Sequence, residues 1–279
     1  MRKSRSSLVW IVIMMLLLAG TASNAETRVE SEVSVGPDGV QIRMSVGAFV
    51  VESGASMAVE IVRDEASDCL REPVLVTAFM LLRGESTELC REAYDEPIDV
   101  AEWLGRVSLT DSESGEPLSE GAYIVRVETS VGVFSAVVEV VATSAMAGVG
   151  SFSVHASVCG LELRVYRLIR QEDDGVQIAL RKGDRLMIAL AGNATTGFQW
   201  ENAILYEYAV LRETEDTEYR AKPQPQEMVG YGGEFLFRYE AIDVGPQAFR
   251  FIYHRPWESV EASEVVEFTA IVYQPVYGN

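Results

Sequence analysis

The sequence predicts an all-β protein of two antiparallel β-sandwiches behind an export signal. Three observations predict it. Short segments alternate apolar and polar residues along most of the chain, Gly, Pro and Asn cluster between them, and one uncharged stretch of small residues divides the chain near its middle.

The first 25 residues read as a leader. Arg2, Lys3 and Arg5 are basic, residues 8–19 are an unbroken apolar run, and small residues end at Ser23, Asn24 and Ala25, placing cleavage before Glu26. The run is too short to span a bilayer comfortably, and no Cys follows it to carry a lipid. The expected mature chain is soluble, secreted or periplasmic, and free of the membrane.

Residues 26–143 are expected to form the first sandwich. Residues 31–35 (SEVSV) and 40–46 (VQIRMSV) alternate around a GPDG turn, and residues 74–82 are almost wholly apolar, as in a buried strand. Residues 122–129 and 134–142 alternate on either side of Gly132, which reads as a hairpin. Only residues 98–104 (IDVAEWL) look helical, for about two turns. Residues 144–160 begin as Ala, Ser, Gly and Met and read as a linker. Residues 161–279 form the second series, with strands expected at 161–169, 176–180, 185–190, 233–239, 248–253 and 265–273. Residues 213–227 are charged and aperiodic, which predicts a long mobile loop. Short strands at this spacing suit immunoglobulin-like sandwiches. The pentapeptide DGVQI occurs at 38–42 and 174–178. Two related sandwiches or a shared turn-and-strand preference would each produce it.

The net charge of −19 becomes −22 once the three basic leader residues are gone. Such a surface repels phosphate, so neither nucleic acid nor an anionic membrane is expected as a partner. Of the three cysteines, Cys69 and Cys90 could pair in an oxidising compartment or remain free thiols, and Cys159 is left over. Catalytic apparatus is sparse. The two histidines, His155 and His254, have no partner at a telling spacing, and the acidic residues are scattered. No zinc-protease, paired-CxxC, nucleophile-elbow or phosphate-loop motif occurs. No enzyme, metal or cofactor is expected.

Three segments remain. Asn193-Ala194-Thr195-Thr196-Gly197-Phe198-Gln199-Trp200 is a tight loop between strands, with Trp200 expected in the core. Gly230-Tyr231-Gly232-Gly233 lets backbone approach another surface. His254-Arg255-Pro256-Trp257 follows a strand and is stiffened by its proline. In this order they resemble the chagasin family of cysteine-peptidase inhibitors, which carries an NPTTG-type loop with a following aromatic and Trp, then a GxGG loop, then an RPW or RPF loop. Gly183-Asp184 is similar to the family's lead-in to the first loop. The resemblance covers roughly residues 163–275 and leaves the N-terminal half unexplained.

The resemblance implies a reversible, non-covalent inhibitor of papain-like cysteine peptidases, acting as a monomer. Its peptidase-binding residues would be Asn193, Thr195, Thr196, Gly197 and Phe198, then Gly230, Tyr231, Gly232 and Gly233, then Arg255, Pro256 and Trp257. Ala194 departs from the family's proline and is expected to loosen the first loop, costing ~0.5–1 kcal/mol of binding. Asn193-Ala194-Thr195 is also a glycosylation sequon, and a glycan there would block the loop, so it is expected unmodified. The rival reading is an extracellular adhesion or carbohydrate- or protein-binding module, since sandwiches are widely reused.

Overall fold

The computed structural model describes residues 30–34, 41–45, 48–63, 73–84, 86–142, 156–158, 160–222, 232–258 and 261–274. They are almost entirely extended. The strands run β1 (Glu30–Ser34), β2 (Gln41–Ser45), β3 (Ala48–Glu52), β4 (Ser56–Arg63), β5 (Leu75–Arg83), β6 (Thr87–Asp99), β7 (Gly105–Ser108), β8 (Gly121–Thr129) and β9 (Gly132–Val141). The second series runs β10 (Ala156–Val158), β11 (Leu161–Arg170), β12 (Gln177–Arg181), β13 (Arg185–Gly192), β14 (Gln199–Asn202), β15 (Leu211–Glu213), β16 (Glu218–Ala221), β17 (Gly233–Ala241), β18 (Gly245–His254) and β19 (Glu264–Tyr273).

Alternation placed most of these strands correctly. In β9 every second side chain from Phe134 to Val140 is buried, the period-2 signature of a strand with one covered face. It pairs antiparallel with β8 from Gly121↔Val140 to Thr129↔Gly132, the expected hairpin. The N-terminal sheet is ordered β3-β9-β8-β5-β6, and it packs on β4, β7 and the start of β11 around Phe79, Leu81, Trp103, Tyr123 and Val138. In the C-terminal part, β12-β19-β18-β14 faces β13 and β17 across a core that includes Trp200, Phe237, Phe249, Phe251 and Phe268. β1 and β2 pair as expected, with Glu30 opposite Ser45, while their turn lies outside the described residues. Of the two DGVQI copies, the second turns at Gly175 into β12, and the first ends in β2.

Two expectations need correction. Residues 98–104 form no helix. Strand β6 continues through Asp99, whose backbone carbonyl accepts from the amides of Glu102 (3.0 Å) and Trp103 (2.9 Å) and whose side chain accepts from Ala101 N (2.9 Å). One turn forms and stops, because Trp103 inserts into the core against Phe79 and donates to Tyr94 Oη at 3.0 Å. The chain then enters β7 at Gly105, where a Cβ would lie 2.7 Å from the Trp103 ring. The stretch 213–227 is not wholly loop either. Its residues 218–221 are β16, an edge strand on β17, and residues 223–227 lie outside the described ones. Alternating charges concealed this strand, because Glu218 and Arg220 are held by ion pairs rather than by an apolar face.

The two sandwiches share β11. Its first eight residues pair antiparallel with β4, and its last four pair parallel with β13. Leu161, Leu163 and Val165 enter the N-terminal core, while Ile169, on the same face, enters the C-terminal core. Between them Arg167, 7% exposed, pairs with Glu52 at 3.0 Å and donates to the carbonyls of Ser56 and Leu168. Most of the expected 144–160 linker lies outside the described residues.

The other face of β11 is buried as well. Tyr166 and Leu168 join Met187 and Ala189 of β13, Leu236 of β17 and Ala58 of β4 in a second apolar layer. Across this face Arg238 of β17 meets Glu60 of β4 through two hydrogen bonds, and Tyr166 Oη donates to the same Glu60 at 2.6 Å. A lone sandwich would expose this face to water. Here the N-terminal strands cover it.

Gly183 and Asp184, read as the lead-in to the first loop, form a tight turn between β12 and β13. Gly183 has φ 97°, and buried Asp184 accepts from Arg181 N at 2.7 Å. Desolvation pushes the Asp184 carboxyl up to about 7, against the lowering effect of the Arg181 amide and charge. On the N-terminal sheet, Cys90 is a half-buried free thiol whose pKa burial raises, with Glu92 and Glu88 adding to the shift. Cys69 and Cys159 lie outside the described residues.

Candidate functional site

The first loop leaves β13 at Gly192. A side chain there would sit 2.9 Å from the Phe235 ring and 3.0 Å from that of Tyr253, so only glycine lets these aromatics close around the strand end. Asn193 then caps a single 3-10 turn, Ala194–Thr196. Its side-chain oxygen accepts from Thr195 N (3.1 Å) and Thr195 Oγ1 (2.6 Å), and its backbone carbonyl accepts from Thr196 N (3.2 Å) and Thr196 Oγ1 (2.6 Å). Gly197 closes the turn in the left-handed region at φ 79°, donating to the carbonyl of Ala194 at 3.1 Å. Ala194 stands where the family carries proline, and the turn around it is hydrogen-bonded through the side chains of Asn193, Thr195 and Thr196. Ala194, Thr195 and Thr196 remain exposed at the tip.

Behind the tip lies an aromatic stack. Phe198 and Trp200 each lie 5.1 Å from Tyr253, ring centre to ring centre. Tyr253 Oη accepts from Asn193 N at 2.7 Å, and Trp200 Nε1 donates to the Ala191 carbonyl at 2.9 Å. Trp200 is 4% exposed, so it anchors the loop from inside, as expected. Tyr253, which went unnoticed in the sequence, is the centre of this stack. Its position directly before His254-Arg255-Pro256-Trp257 was the available signal.

The third loop leaves β18 at the same end. Arg255 folds inward. Its Nε donates to the Thr196 carbonyl at 3.1 Å, its guanidinium sits 4.5 Å above the Phe198 ring, and its Nη1 pairs with Glu258 at 2.9 Å. It ties the third loop to the first. Trp257 points outward at 68% exposure, with its ring edge against Gly197, where a Cβ would come within 2.8 Å of Cζ2. Pro256 is exposed beside it. Below the loops, His254 Nε2 lies 3.0 Å from Glu201, joining β14 to β18.

Of the second loop, Gly230 and Tyr231 lie outside the described residues. Gly232 adopts φ 66°, and its carbonyl accepts from Lys222 N at 3.1 Å. Gly233 begins β17 opposite Gly192 on one side and Ala221 on the other. A Cβ on Gly233 would lie 2.7 Å from the Tyr219 ring and overlap the Arg220 carbonyl, so glycine is again required. The end of the second loop therefore abuts the start of the first, and the described residues of the three segments share one end of the C-terminal sandwich. Among the described residues, no group of three or more His, Cys, Asp or Glu could hold a metal ion.

One end of the C-terminal sandwich thus presents an exposed threonine turn and an exposed tryptophan, with the start of β17 beside them. Residues 179–272 match the model described as chagasin family peptidase inhibitor I42, so the C-terminal sandwich is similar to that family over this span. Among curated relatives, amoebiasin-2 of Entamoeba histolytica is 26% identical over 107 residues, which cover 38% of this chain and 85% of the relative. Among solved structures, a cysteine protease inhibitor from Entamoeba histolytica is 22% identical, spans 38% of this chain and 93% of its own, and has a TM-score of 0.34. Leishmania mexicana ICP is 24% identical over 37% of this chain and 88% of its own, with a TM-score of 0.27.

Proposed function

We propose that the chain is an exported, reversible, non-covalent inhibitor of papain-like cysteine peptidases, acting through the three loops at the end of the C-terminal sandwich. The observation that carries this reading is that Asn193–Gly197, Gly232–Gly233 and Arg255–Trp257 lie at one end of a domain matched by a peptidase-inhibitor family. The tip of the first loop, Thr195, Thr196 and Gly197, would enter the cleft above the catalytic cysteine. The backbone of Gly232 and Gly233 would lie along the unprimed side, and Trp257 would fill the primed side.

The geometry refines the part played by each residue. Asn193 and Phe198 hold the tip from below, and Arg255 locks two loops together rather than reaching outward. Trp257 is the exposed aromatic anchor, already leaning on Gly197, so little of its freedom is left to lose on binding. The mechanism needs no bond to be cut. The threonine hydroxyls and the Asn193 side chain hold the turn by internal hydrogen bonds, so the tip enters as a pre-formed plug and inhibition is occlusion.

Binding to papain whose catalytic cysteine has been carboxymethylated tests this directly. Occlusion predicts that the blocked enzyme still binds, weakened only by the added group, and that dilution restores full activity of the unblocked enzyme. Loss of all binding to the blocked form, together with slow or absent recovery on dilution, would point to covalent capture.

A further inference from the structure

The N-terminal sandwich reaches the loop-bearing end through three polar contacts and one apolar one. Arg106 of β7 faces Glu234 of β17 with a two-pronged ion pair, Nη1 donating to Oε1 at 3.0 Å and Nη2 to Oε2. Glu234 directly follows Gly232 and Gly233. Arg220 of β16, opposite Glu234 in the ladder, directs Nη1 toward the carbonyls of Glu102 and Trp103 at 3.5 and 3.4 Å. Glu218, also on β16, pairs with Arg238 at 2.6 Å, and Arg238 in turn pairs with Glu60 of β4. Leu236, the next outward-facing residue of β17 after Glu234, is fully buried in the apolar layer beside Ala58 and Leu104.

The strands held in this way are those that frame the second loop. β16 is a four-residue edge strand with no buried residue, and a strand of that kind frays readily unless its side chains are fixed. Its register sets the position of Gly232 through the hydrogen bond from Lys222 and that of Gly233 through the pairing with Ala221. A glycine-rich backbone has many alternative conformations, and the clamp removes them before a partner arrives.

We propose that the N-terminal sandwich is a positioning element of the inhibitor, with Arg106 and Arg220 clamping the β16–β17 pair so that Gly232 and Gly233 are held in their binding conformation. This rests on the inhibitor reading of the site. It assigns the N-terminal half a role that none of its own loops supplies, and Arg106 and Arg220 act through Glu234 and β16 rather than by touching the peptidase.

The test uses the full chain without its leader and compares Arg106→Gln, Glu234→Gln and the charge exchange Arg106→Glu with Glu234→Arg. Amide hydrogen exchange in the free protein is read over residues 218–222 and 232–236, and the inhibition constant is measured against papain. The clamp predicts faster exchange confined to those two segments in each single variant and inhibition weakened roughly tenfold, with both recovered in the exchanged pair. Should Arg106→Gln fail to fold, Arg220→Gln carries the same two readouts. Unchanged exchange and unchanged inhibition in the single variants would overturn the proposal. So would a uniform rise in exchange across both sandwiches, which would make the pair a general structural contact. If the unaltered chain does not inhibit papain, the inhibitor reading fails, while the exchange measurement still decides whether the clamp exists.

Discussion

Replacing Trp257 by alanine removes an exposed large hydrophobic side chain from the loop surface. The residue is 68% exposed. A tryptophan side chain offers roughly 150–250 Å² to bury, so on the order of 100–170 Å² remains available to a partner. At ~25 cal/mol per Å² this corresponds to about 2.5–4 kcal/mol, or a weakening of roughly 70- to 1000-fold. Ordering of the partner's pocket reduces the figure, so about tenfold is the least the reasoning permits. Folding stability should hardly change, because the ring is mostly in water, with one edge against Gly197. The assay is the inhibition constant against papain with a fluorogenic peptide, with a thermal melt of the same preparation. An inhibition constant within threefold of the unaltered protein, at equal melting temperature, would refute the role given to this side chain.

Gly197→Ala should weaken inhibition even though it adds a single methyl group. A left-handed alanine costs ~1–2 kcal/mol, and its Cβ would displace the Trp257 ring; a crystal structure of the variant should show Trp257 moved. Arg255→Ala removes the hydrogen bond to Thr196 and the contact with Phe198. The expected loss is about 1.5–3 kcal/mol of affinity, with faster amide exchange in residues 194–197, whereas Arg255→Lys should recover only part because it cannot reproduce the flat stacking. Asp184→Asn should flatten the pH profile of stability. The folded carboxyl titrates near 7 against an ordinary 3.8, so the folded protein retains a proton that the unfolded chain has lost between these values, and stability falls as pH rises through that window. At about 1.4 kcal/mol per unit the effect is at most roughly 4 kcal/mol, and denaturant titrations at pH 4.5 and 7.5 on both proteins would reveal it.

Much of this was legible because strands with one covered face announce themselves. β9, β18 and β19 alternate cleanly, and β5 is apolar on both faces, with Phe79 and Leu81 in the main core and Ala78, Met80 and Leu82 in a smaller apolar cluster with Ile124. The candidate site was proposed from the order of three motifs, and the tight turn of the first loop follows from residues within it, Asn193 capping and Gly197 closing. What escaped depends on long-range partners. Residues 98–104 have helical spacing, but Trp103 is claimed by Phe79 and Tyr94 after a single turn. β16 consists of charges whose partners are far away in sequence, Arg238 at 20 residues from Glu218 and the Trp103 carbonyl at 117 from Arg220. The apolar outer face of Tyr166, Leu168, Met187 and Leu236 was present in the sequence as strands buried on both sides. Nothing local, however, says that the N-terminal strands are what cover them.

The most direct test of the central claim is a titration of residues 26–279 against papain, following hydrolysis of a fluorogenic peptide at several substrate concentrations. The account predicts sub-micromolar inhibition that substrate competes away and dilution reverses. Full papain activity at micromolar concentrations of the folded chain, repeated across a small panel of related cysteine peptidases, would contradict it.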